Sequence, residues 1–216
     1  REDFSAEADF ITQSKHSIKW SQPSLHEASG SSEPAFEELV KAADEDIVSE
    51  ASTVMGGPVR GQVMHKLIEE MLTGEKPEEQ TSLAYRASEL LAQLGVDSED
   101  DPSKGFSANE IANIAMNGLA HQEIVPIRDI LIPEVSVFIS LEENGEETVT
   151  TGTADALAVN EDGTIKAVID WKSDVEVTSD IHKQYKKQVR SYARAVDADV
   201  GYVVYCTNSY VDKIKI

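Results

Sequence analysis

Two turn signals, Asn144-Gly145 and Asp162-Gly163, constrain this chain more than any other feature. Asn-Gly and Asp-Gly between alternating apolar residues are strong hairpin signals, because the turn needs positive φ at its centre. Each predicts a regular hairpin. Counting outward along both strands from Asp162-Gly163 places Asp155 directly opposite Asp170. Counting outward from Asn144-Gly145 places Glu134 opposite Asp155. Directly opposed side chains share one face, with Cβ atoms about 5 Å apart. Three carboxylates in one row repel one another. Something positive must hold them, and a divalent cation is the economical answer.

The residues around this row suit that cation. Asp170 and Lys172 stand two apart on a strand and so point to one face. Hard oxygen ligands favour Mg²⁺ or Mn²⁺. Hydrolysis of a phosphodiester needs a metal that polarises the phosphoryl oxygen and acidifies a bound water. A neighbouring lysine can deprotonate or orient that water, or stabilise the developing charge. Taken singly, the Asp170-Trp171-Lys172 tripeptide is better read as a surface ion pair. The register with Asp155 shifts the balance.

Other residues carry weaker signals. His65 sits at the edge of an amphipathic helix, with Glu69 one turn further on. Alone, it reads as a packed histidine bonded to a carbonyl or to Glu69. Tyr185, Gln188 and Tyr192 share one face of a later helix. They could orient a phosphate, a base or the lysine, or simply pack with Val189 and Ala193. Lys183, Lys187, Arg190 and Arg194 line roughly the opposite face, as readily a solvated stripe as a DNA contact.

The organisation follows from periodicity. Residues 1–55 are rich in Ser and Glu and read as a linker or tether, with a short acidic helix over 35–50. Helices are predicted over 60–73, 81–94, 107–121 and 179–196. The first two end at Gly74 and Gly95, and the third opens on a Ser107-x-x-Glu110 capping box. Strands are predicted over 135–141, 147–159, 165–172, 200–206 and 213–216. This order gives an α/β layer, with a three-strand antiparallel meander and a further strand covered by helices.

Composition bounds the function. The chain has 216 residues and a formal charge of −21, which weighs against nucleic-acid binding unless recognition is local. Between Ile181 and Arg194 basic residues occur without a single acid. The lone Cys206 excludes a four-cysteine zinc or iron–sulfur site. No apolar run reaches the roughly 18 residues of a membrane span, and a cytoplasmic, reducing compartment is expected. A chain opening on Arg1 reads as a piece of a longer protein.

Five segments in order then carry a resemblance. They are Arg60-Gly61-x-x-x-His65-x-x-x-Glu69, Pro133-Glu134, Gly152-Thr153-Ala154-Asp155, Ile169-Asp170-Trp171-Lys172 and Tyr185-x-x-Gln188-x-x-x-Tyr192. Together they resemble the RecB-type nuclease domain of the PD-(D/E)xK superfamily, as fused to the C-terminus of UvrD-like and AddA-like helicases. The resemblance spans about residues 56–210, within a nuclease domain expected over 56–216, and implies a restriction-endonuclease-like fold with a mixed central sheet. It implies that His65, Asp155 and Asp170 ligate Mg²⁺ or Mn²⁺, assisted by the Trp171 backbone carbonyl. Glu134 follows as a lesser ligand. It makes Lys172 the catalytic lysine and places Gln188 and Tyr192 beside the site. The four cysteines of cluster-bearing relatives are absent, so no iron–sulfur cluster is expected. Nor is a phosphate-cradling Gly-x-x-x-x-Gly-Lys loop present.

Two functions follow as expectations. The first is a metal-dependent deoxyribonuclease, by resemblance an exonuclease, acting on DNA in end processing, recombination or repair. Its partner is a helicase motor, fused in cis or held as a companion subunit. Asp170→Ala or Lys172→Ala should abolish cleavage and leave the fold intact. The second is a degenerate nuclease-fold module that docks a protein partner or senses DNA ends, which the charge of −21 would suit.

Overall fold

In a computed structural model, Met64, Leu67, Ile68 and Met71 fall on one face of a helix, α1 (Pro58–Leu72), and are buried there. That spacing is the apolar stripe of a helix laid on a core. Pro58 opens α1, and Gly74, at φ 76°, lies just beyond its end. The structure describes residues 18–21, 54–143 and 146–216. The acidic helix expected over 35–50 and the Asn144-Gly145 turn lie outside the described residues.

The elements run β1 (Ile18–Ser21), α1, α2 (Gln80–Gln93), α3 (Ala108–Ala120) and a 3₁₀ turn (Val125–Ile130). There follow β2 (Leu131–Glu143), β3 (Glu146–Val159), β4 (Ile165–Lys172), α4 (Ser179–Ala195), β5 (Val200–Tyr205) and β6 (Tyr210–Lys215). The strands form one mixed sheet in the order β1-β3-β4-β5-β6, with β2 paired to the other side of β3. Strands β1 and β3, and β4 and β5, are parallel; the other pairs are antiparallel. Helix α4 is the crossover that lets β5 run parallel to β4. Strand β1 comes from the segment read as a tether. Among the described residues no helix is long and apolar enough to cross a membrane.

Helices cover both faces. Residues of α1, α2 and α3 bury Ala156, Ala158, Ile169, Trp171 and Val204 on one side of the sheet. On the other, Tyr192 and Ala193 of α4 pack on Leu157 and Val168, and Val189 packs on Val203. Burial on both faces explains the near-continuous apolar runs of β4 and β5.

One departure from the regular pleat matters for function. In a strand, residues two apart share a face. Yet Leu131 packs with α1–α3, whereas Val135 and Val137 pack on the α4 side. On β3, Ala154 belongs to the α4 side and Ala156 and Ala158 to the other. Both strands therefore change face between the same residues. Pro133 pairs with Ala156 and Val135 with Ala154, and Glu134 lies between them at φ 52°. A non-glycine residue there costs of order 1–3 kcal/mol and persists only where its surroundings enforce it.

The β3–β4 turn differs from the expected two-residue hairpin. Gly163 N–H donates to the Asn160 carbonyl at 2.9 Å, and Asn160 N–H to the Thr164 carbonyl at 2.9 Å. Val159 pairs with Ile165 but Ala158 with Ala167, so Lys166 is an unpaired bulge. The longer turn shifts the register by one residue and the bulge restores it. Beyond the bulge, Leu157 pairs with Val168 and Ala156 with Ile169, as equal counting requires.

The capping box at α3 does not form. Ser107 makes no side-chain cap; the Ala108 N–H bonds instead to Ser98 Oγ at 3.0 Å. Glu110 is engaged by Arg60, a partner of greater charge.

Candidate metal centre

The site gathers where β3 and β4 emerge from between the helix layers. Asp155, one residue past the Ala156–Ile169 pair, accepts the Trp171 N–H on Oδ2 at 2.7 Å. Its Oδ1 lies 3.7 Å from His65 Nδ1. His65 reaches across from α1 and donates from Nε2 to the Trp171 carbonyl at 2.9 Å. A carbonyl can only accept, so that bond uses a proton on Nε2 and turns Nδ1 toward Asp155. Glu134, turned aside by the pleat reversal, completes the group. One donor atom each from His65, Glu134 and Asp155 lie within 4.8 Å of one another.

These donors fit a hard divalent cation: two carboxylates and an imidazole. The electrostatics point the same way. Burial raises the Glu134 carboxyl above its ordinary value, and the Asp155 charge raises it further.

Asp170 stands apart from that tight triad. It is 4% exposed, and both its oxygens lie near Lys172 Nζ, at 3.0 Å and 2.9 Å. Oδ2 forms an ion pair there yet accepts no well-aligned hydrogen bond. Burial pushes the Asp170 carboxyl up to about 6, Lys172 opposes the rise and Asp155 adds to it. For Lys172 burial disfavours the charge, but Asp170, Asp155 and Asp174 outweigh it and hold the ammonium above the usual lysine range. Lys172 is therefore a cation at neutral pH.

Helix α4 closes the other side. Lys172 Nζ lies 4.4 Å from the centroid of the Tyr185 ring, and the Tyr185 hydroxyl donates to Asp174 at 2.9 Å. Burial and then the charges of Asp170 and Asp155 raise the Tyr192 phenol above its ordinary value. Gln188 stands one turn before Tyr192 on α4, and its Oε1 is buried without a partner. Gly152 makes room for the ring. A Cβ there would stand 2.2 Å from the Tyr192 hydroxyl, so the glycine of Gly152-Thr153-Ala154-Asp155 is needed for steric reasons. The stripe of Lys183, Lys187, Arg190 and Arg194 is exposed on the outer face of α4.

Sequence reasoning missed the anchor of this arrangement. Arg60 is fully buried. Its Nε and Nη2 donate to Glu110 at 3.0 Å and 2.5 Å. Nη1 donates to the Ser173 carbonyl and, at 3.0 Å, to Thr207 Oγ1. A Cβ on the next residue, Gly61, would stand 3.1 Å from Ser173 Oγ. Arg60 thus fixes the residue after Lys172 to both α1 and α3. Asp174, directly after the Asp170–Ser173 stretch, was legible only as one more acid.

A groove of about 610 Å³ opens beside the triad, lined by His65, Lys66, Glu69, Arg86 and Glu134 among others.

No protein-family model matches the chain, and no curated protein matches it. Among solved structures it is similar to the crystal structure of SSO0001, at 17% identity and a TM-score of 0.36. That likeness covers 74% of this chain and 78% of the other.

Proposed function

We propose that this chain is a metal-dependent deoxyribonuclease domain with a restriction-endonuclease-like core, acting in a helicase–nuclease that processes DNA ends. The observation that carries the reading is the convergence of His65, Glu134 and Asp155 donor atoms within 4.8 Å, beside the buried Asp170–Lys172 pair. Two carboxylates and an imidazole drawn this close repel less when a cation lies between them. Bound Mg²⁺ or Mn²⁺ would polarise a phosphoryl oxygen and acidify a water.

The chain's own residues supply the rest. His65, Asp155 and Glu134 would hold the ion, with Asp170 adjoining. The ammonium of Lys172 is held in its charged form, so it donates hydrogen bonds to the phosphoryl oxygens where negative charge develops. A charged lysine is not a base; it orients and stabilises. Asp170 keeps it in place, and the Tyr185 ring covers it. Gln188 and Tyr192 present an amide and a phenol to the same space, suited to orienting a phosphate. Cleavage as an exonuclease, and a helicase motor as the partner in cis or in trans, belong to the same proposal.

The test is cleavage of single- and double-stranded DNA by the full chain with Mg²⁺, Mn²⁺ or EDTA. Metal-dependent cleavage that is lost in both Asp155→Asn and Lys172→Met supports the assignment. Activity retained in both variants ends it. A second reading, a non-catalytic module of the same fold that docks a protein or senses DNA ends, is favoured by the charge of −21. It expects no cleavage with either metal.

A further inference from the structure

A second groove, of about 580 Å³, lies beyond Lys172 on the α4 side and is lined by Thr178, His182, Lys183, Tyr205, Asn208 and Tyr210 among others. Its walls are aromatic and fixed. Tyr205 stacks with His182 and with Tyr210, each at 5.8 Å between ring centroids. The His182 ring is pinned at both nitrogens: Nδ1 lies 2.6 Å from the Tyr205 hydroxyl and Nε2 3.1 Å from Asp212 Oδ2. Lys186 holds the same Asp212 oxygen at 2.8 Å. Tyr205 is buried, but Tyr210 is 53% exposed. Packing accounts for the first ring and leaves the second unexplained.

The groove adjoins the candidate centre. Tyr205 is the register partner of Lys172 across β4 and β5. Tyr185 bridges them, with its ring under the lysine ammonium and 6.3 Å from Tyr205. A flat ligand on Tyr210 would be separated from Lys172 by the rings of Tyr205 and Tyr185, on the same face of the sheet. Polar groups suited to a base edge, Thr178 and Asn208, line the groove, and the exposed Lys183 stands at it for a phosphate.

We propose that Tyr210, backed by Tyr205 and His182, is a stacking platform for an unpaired nucleobase of the strand that is cut, on the same face of the sheet as Lys172. This deepens the nuclease reading and rests on it. Aromatic rings grip bases of single strands in a sequence-tolerant way, since every base offers a π-face. The platform therefore selects frayed or single-stranded ends over paired duplex.

The experiment uses the full chain with Mg²⁺ and a phosphorothioate oligothymidylate carrying one 2-aminopurine, whose fluorescence falls on stacking. Tyr210→Ala should abolish the quenching, and Tyr210→Trp should restore it. On cleavable single-stranded DNA, Tyr210→Ala should raise KM about tenfold with kcat little changed, within the range of base–aromatic stacking. Because Tyr210 is half exposed, its removal should lower the melting temperature by only a few degrees and leave the chain folded at the assay temperature. Unchanged quenching or unchanged KM in Tyr210→Ala overturns the platform while leaving the nuclease assignment intact. Quenching by a wild-type chain that cleaves nothing would keep the platform and sink the nuclease assignment.

Discussion

Glu134 and Asp155 face each other at the point where β2 and β3 both reverse their pleat. The reversal takes both carboxylates out of the regular inward and outward rows and toward His65. The candidate centre is thereby drawn from two paired strands and one helix, without a long loop. Its cost is a non-glycine residue at positive φ and two neighbouring negative charges.

A cation should offset that cost. Ligand binding to the native state alone adds about 2.7 kcal/mol at a hundred times Kd. For a domain of this size, that is a rise in Tm of about 5–10 °C. Scanning fluorimetry with millimolar Mn²⁺ should show it, and Asp155→Asn should remove it. A flat titration of the wild type sinks the metal centre.

Lys172→Ala was expected to leave the fold intact, but the buried pair argues otherwise. Removing one partner strands a carboxylate that is 4% exposed. Breaking such a pair costs about 3–5 kcal/mol. Urea denaturation should show that loss, and the double variant Asp170→Asn/Lys172→Met should recover most of it while staying inactive.

Arg60 should prove as sensitive as any residue of the centre. Its fork binds Glu110 bidentately and caps the Ser173 carbonyl. Arg60→Lys cannot reproduce that geometry. We expect Arg60→Met to cost about 3 kcal/mol or more and Arg60→Lys to rescue little of it, by chemical denaturation.

Gly152→Ala should act through Tyr192. The new Cβ would overlap the phenol oxygen, and overpacking of this kind costs about 1–3 kcal/mol. Tyr192→Phe in the same chain should restore part of the stability but not the activity.

Cys206 gives a pH test away from the centre. Burial pushes its thiol up to about 12, against a weak opposing pull from Arg60. A raised native value means stability present below the unfolded value, near 8.5, and lost as pH rises toward 12. By pH 10 the loss from this group is about 2 kcal/mol. Wild type should lose that much more than Cys206→Ala between pH 7.5 and pH 10. A thiol reagent should label Cys206 only after unfolding.

Much of this was legible in the sequence, though not always for the reason given. The opposition of Asp155 and Asp170 was read from a two-residue turn. It arises from a longer turn corrected by the Lys166 bulge, and no residue type announces a bulge. Glu110 looked like a helix cap because local patterns cannot show that a buried guanidinium competes for it. Arg60 was legible only as the first residue of a motif at a helix start, with no role attached to it. The positive φ of Glu134 left no mark, since glycine or asparagine would have been the usual sign. Periodicity found the helices and strands from Pro58 onward because burial on one face imposes it. It missed β1, which lies in a polar segment and gains its order by pairing along β3.

Helix α1 holds the end of β4 through Arg60 and His65, and both side chains take main-chain oxygens, those of Ser173 and Trp171. These two bonds read the path of the backbone and are blind to the letters along it. Position 173 is therefore free to drift wherever its new side chain clears Gly61. Relatives of this chain should thus vary there while keeping an arginine and a histidine five residues apart, a spacing that can be searched for directly.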